Sequence, residues 1–60
     1  MKEYKEAIEV ALRKLGAGAA LATSLVNTRM GLIETAMERQ RSPADLAKTI
    51  WDNHMARFNR

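Results

Sequence analysis

From Tyr4 to Phe58 the apolar residues recur every third or fourth position and nowhere alternate one by one, which confines the chain to helices. In residues 2–15, KEYKEAIEVALRKL, the residues Tyr4, Ala7, Ile8, Ala11, Leu12 and Leu15 share one face, while Glu3, Glu6, Glu9 and Arg13 fall elsewhere. Arg13 and Lys14 stand where the negative end of a helix dipole favours cations, and Gly16 follows either as a stop or, with Gly18, as a bend inside one long helix. From residue 19 to about residue 41 the pattern resumes and broadens. Wound at 100° per residue, Leu21, Ala22, Leu25, Val26, Met30, Leu32, Ile33, Ala36 and Met37 cover about half of a cylinder. A helix so widely apolar needs more than one neighbour, and this places it at the centre of the fold.

The stretch RSPAD at residues 41–45 starts a third helix. Ser42 suits the N-cap, Pro43 suits the first helical position where no amide donor is needed, and Asp45 stands at the third. Leu46, Ala47, Ile50, Trp51, His54, Met55 and Phe58 then form an apolar face running to residue 58. The expected architecture is all-α, one domain over residues 1–60: a helical hairpin (2–15 and 19–41) plus a third helix (43–58), completed as a homodimeric bundle.

The reason for expecting company is size. A chain of 60 residues buries only about 60% of the surface exposed when unfolded, so small scaffolds rely on a staple. The sequence has no cysteine and a single histidine, which leaves self-association as the staple available. Leu21, Leu25, Arg29, Leu32, Ile33 and Met37 of the middle segment are the candidate seam. Arg29 projects into this apolar sector, where a cation must be paired or reach water. It either meets a carboxylate across the seam, or lays its stem over apolar surface, or is re-aimed by a break between Asn27 and Gly31.

The small-residue run LGAGAALATSLV, residues 15–26, admits four readings. A phosphate loop is excluded because the third glycine of the dinucleotide fingerprint is missing, no Lys-Ser or Lys-Thr follows, and a helix precedes the run. A membrane span needs about 20 mainly apolar residues, whereas Lys14 and Arg29 lie closer than that and enclose Thr23, Ser24, Asn27 and Thr28. The early glutamates also argue against a signal peptide, and they weaken an interfacial helix. What remains is packing: small residues spaced by four (Gly16 and Ala20, Gly18 and Ala22, Ala20 and Ser24) make either a close subunit crossing or a simple chain reversal.

Nothing assembles a catalytic constellation. Ser24 lies in the small-residue run, Ser42 is claimed by a cap, and His54 sits on an apolar face. Glu34 and Glu38 share a helix face but lack the Glu-x-x-His companion of di-iron bundles. No enzyme activity, cofactor or metal is expected, and a chain free of cysteine fits the cytoplasm.

Function is therefore expected to be recognition. Trp51, His54, Met55 and Phe58 combine large side chains with an adaptable thioether, the residue types that capture a protein partner. The expectation is a small interaction module, an adaptor, inhibitor or accessory regulator of a larger protein, of a size that suits a phage or plasmid. The alternative is a helical dimer binding DNA or RNA through Arg39, Arg41, Lys48, Arg57 and Arg60, which contribute to a net charge of +3. Against it, Lys48 and Arg57 point about 180° apart on a helix wound at 100° per residue.

Overall fold

The polypeptide reverses direction at Gly16. In the computed structural model, which describes residues 2–58 except for the side chain of Phe58, helix α1 (Lys2–Leu15) ends there with φ of 122°. The Gly16 N–H donates to the Arg13 carbonyl at 3.2 Å and the Ala17 N–H to the Leu12 carbonyl at 3.0 Å. This pair of bonds satisfies two carbonyls that the helix end leaves orphaned, with Ala17 turned into the core. Residues 16–18 are thus a turn between two helices, and Gly18 is the N-cap of the next.

The expected middle helix is two helices. Helix α2 (Ala19–Asn27) stops at Thr28, and helix α3 (Met30–Glu38) starts after Arg29, whose φ and ψ of −125° and 31° lie outside the helical region. Thr28 closes α2. Its Oγ1 donates back to the Ser24 carbonyl at 3.0 Å and approaches the Leu25 carbonyl at 3.2 Å, a pattern that bends helices. The Arg29 N–H then bonds the Val26 carbonyl at 3.1 Å, three residues back, tightening the last turn.

A second stop of the same kind as Gly16 ends α3, but with glutamine in the special position. Gln40 has φ of 59°; its N–H bonds the Met37 carbonyl at 3.0 Å, and the Arg41 N–H bonds the Ala36 carbonyl at 2.9 Å. Helix α4 (Pro43–Phe58) follows, its first intrahelical bond running from the Leu46 N–H to the Ser42 carbonyl at 3.1 Å. Ser42 therefore stands at the N-cap and Pro43 at the first helical position, as the sequence predicts.

Helix α1, and not the middle segment, is the centre of the packing: it lies along α4 and also against α2, while α3 leans on α2. The sequence places the centre elsewhere because apolar width measures how much a helix must bury, not how many neighbours it has. Helices α1 and α4 run in the same direction. The Tyr4 hydroxyl reaches the Arg41 carbonyl at one end, and at the other a Cβ on Gly16 would stand 3.6 Å from Cζ2 of Trp51. Parallel neighbours require the intervening chain to travel back, and α2 and α3 make that return.

One core joins all four helices. Ile8 and Leu12 of α1, Ala22, Leu25 and Val26 of α2, Ile33 and Ala36 of α3, and Leu46, Ala47 and Ile50 of α4 are buried together with Ala17. Tyr4, Ala11, Leu21, Met30 and Trp51 close its edges. Among the described residues no polar or charged side chain is buried, so the core costs no uncompensated desolvation. The Cα radius of gyration, 10.6 Å, matches the roughly 10 Å expected of a compact chain this long. No described helix is long and apolar enough to cross a membrane.

Candidate functional site

The parallel pairing of α1 and α4 leaves two features on the surface. The first is a furrow between the two helices, formed by two adjoining depressions of about 330 and 460 Å³ that share Ala11, Lys14 and Ala44. Alanine floors it: Ala7 and Ala11 from α1, Ala44 from α4. Val10, Leu15 and Pro43 add apolar walls, and Lys14, Asp45 and Lys48 edge one end. Val10 is 46% exposed and Leu15 42%, so the furrow holds two of the large apolar side chains that the chain leaves in water.

Helical spacing puts Leu15 on the core face, yet it lies at the last position of α1, where the chain turns away and little remains above it. Val10 is the residue that the sequence pattern passes over. It stands among the charged residues of α1, outside the apolar stripe of Ile8 and Leu12, and an isolated β-branched residue there was the available signal.

The second feature is the overhang of α4. Gly16, the end of α1, is level with Trp51, so residues 52–58 run on with no α1 beside them. Trp51 and His54 are half-buried, with ring centroids 5.6 Å apart at 33°. Met55 beside them is 37% exposed. Three of the four residues expected to meet a partner are thereby gathered on one helical segment, and the Phe58 side chain lies outside the described residues.

The seam expected of the middle segment does not form one surface. Leu25 and Ile33 are interior, Leu21, Arg29 and Met37 are half-buried, and Leu32 is exposed. The break at residues 28–29 is the reason, because it re-registers α3 so that Leu25 and Ile33 both point into the same chain's core. Arg29 is re-aimed as well. Its Nη1 donates to the Thr28 hydroxyl at 3.1 Å and approaches the Leu25 carbonyl at 3.5 Å, placing the cation over the negative end of α2.

Small residues spaced by four likewise fail to make a continuous crossing. Ala22 is buried, but Gly16, Gly18, Ala20 and Ser24 are exposed, and a Cβ on Gly18 would meet nothing within 4 Å. Within the chain, the run makes the reversal at residues 16–18.

Compared with family models, curated proteins and solved structures, the chain matches none of them at a significant level.

Arg39, Arg41, Lys48 and Arg57 are all exposed, while Arg60 lies outside the described residues. Arg39 and Arg41 flank the stop after α3, Lys48 edges the furrow, and Arg57 sits in the last turn of α4. Nine residues of helix separate Lys48 from Arg57, about 13 Å along the axis and half a revolution around it. The cations are spread along the molecule and do not converge on one strip. Among the described residues no three of His, Asp and Glu stand together as metal ligands would.

Proposed function

We propose that the chain is a small helical interaction module that acts as an adaptor, inhibitor or accessory regulator by binding a larger protein. The observation that carries this reading is the overhang of α4, where half-buried Trp51 and His54 and exposed Met55 share a segment that runs past the end of α1. Trp51 is anchored at the edge of the core, which limits the side-chain entropy lost on binding. Met55, flexible and polarisable, supplies a contact that adapts to its partner. A hydrophobic helix face offered in this way suits a groove on a larger protein.

The test is capture from a lysate of the source organism with the wild-type chain and with Met55→Glu. A protein that the wild-type chain retains and Met55→Glu releases supports the reading; retention indifferent to residue 55, or none at all, refutes it. Exposed Arg39, Arg41, Lys48 and Arg57 keep nucleic acid as the alternative. Retention on DNA that collapses at modest salt and weakens in Lys48→Glu moves the assignment to it.

A further inference from the structure

We infer that the furrow between α1 and α4 receives α1 of a second copy of this chain, in an antiparallel, two-fold symmetric pair. The interaction uses a different face from the overhang of α4, so either proposal can fail without the other.

The occupant follows from the charge pattern of the α1 stripe that borders the furrow. Glu3, Ala7, Val10 and Lys14 are all exposed and follow one another at steps of four, three and four along α1. At 100° per residue these steps keep them within about 60° of arc, one stripe on one side of the helix. The stripe is acidic at its start, apolar in its middle and basic at its end. Laid antiparallel on a copy of itself, it sets Glu3 against the partner's Lys14 and Ala7 against the partner's Val10, and the two-fold axis repeats both contacts.

That arrangement is self-complementary in size as well as in charge. Each exposed valine meets a position held by alanine, and the furrow beside it is floored by Ala11 and Ala44. Small residues there let two helix axes approach closely. A parallel pairing brings Glu3 to the partner's Glu3 and Lys14 to the partner's Lys14, so like charges reject it. Isologous contacts of this kind close on themselves as a dimer and do not propagate. One helix per copy is a small interface, so the association belongs to the weak, concentration-dependent class.

The experiment is sedimentation equilibrium across a concentration series, on the wild-type chain and three variants. Wild type is expected to move from monomer towards dimer as concentration rises. Val10→Gln, which removes two symmetric apolar contacts from a position already in water, should weaken the dimer by about tenfold. Its thermal melt at high dilution should match wild type, showing that the chain still folds.

Glu3→Lys should weaken association by about fivefold and the double variant Glu3→Lys, Lys14→Glu should restore most of it. Eleven residues of helix, about 16 Å, separate the two positions within one chain, so a rescue reports contact between copies. Helix-dipole effects cannot imitate it, since the double variant opposes the dipole at both ends. A monomer at every concentration, a dimer indifferent to Val10→Gln, or a charge swap that fails to rescue overturns the inference.

Discussion

The Tyr4 hydroxyl donates to the Arg41 carbonyl oxygen at 2.8 Å, joining the first turn of α1 to the connection between α3 and α4. The bond spans 37 residues and holds in place a carbonyl next to the glutamine with positive φ. Tyr4→Phe keeps the ring at the edge of the core and removes only the donor. Loss of about 1 kcal/mol in urea unfolding is expected, as for a typical intramolecular hydrogen bond. A value indistinguishable from zero would show that water replaces the hydroxyl without cost.

Gln40 holds a left-handed conformation that glycine adopts without penalty. The N–H groups of residues 40 and 41 close the end of α3 whichever side chain is present. Gln40→Gly should therefore stabilise the fold by about 0.5–1 kcal/mol, the relief of strain outweighing the added freedom of the unfolded chain. A fall in melting temperature would mean that the Gln40 side chain supplies more than its backbone costs.

Gly16→Ala is expected to act in the opposite sense, costing about 1–2 kcal/mol because φ there is unfavourable for a residue with a Cβ. Steric clash is not the cause, since the added atom would stand 3.6 Å from Trp51, an ordinary contact. Gly18→Ala is the control: at φ of −70° and ψ of 162° alanine fits, and the change should stay within about 0.5 kcal/mol of zero. Equal effects at the two positions would rule out the backbone explanation.

Leu25 and Leu32 distinguish the present packing from a seam along one continuous middle helix. Leu25 is interior and Leu32 is 42% exposed. Leu25→Ala should cost about 2–5 kcal/mol and Leu32→Ala less than about 1. If instead both leave the fold intact and both reduce self-association, the break at Thr28 and Arg29 is wrong.

Helix type, the extents of α1 and α4 and the buried trio Leu46, Ala47 and Ile50 were settled by the sequence itself, while the structure decided that Gly16 is a stop and not a bend in one long helix. The properties settled by sequence are local: spacing of apolar residues, a glycine after the last of them, and a Ser-Pro start whose proline needs no amide partner. The site was legible only in part. Trp51, His54 and Met55 announced themselves by residue type at helical spacing, whereas Val10 lay hidden among charged neighbours.

The break between α2 and α3 and the parallel course of α1 and α4 were decided by the tertiary structure. A straight helix from Ala19 to Glu38 would extend about 30 Å, well past the roughly 21 Å length of α1, and would carry Ile33 and Ala36 beyond any core α1 could offer. Breaking at Thr28 and Arg29 gives the Arg29 N–H a bond to Val26, three residues back, in place of the regular one, and returns α3 to that core. Periodicity along a helix records which side must be buried but not how far away its cover lies. That distance is a property of all four helices together, and it also leaves α4 longer than the helix beside it and a furrow where Ala7 and Ala11 of α1 meet Ala44 of α4.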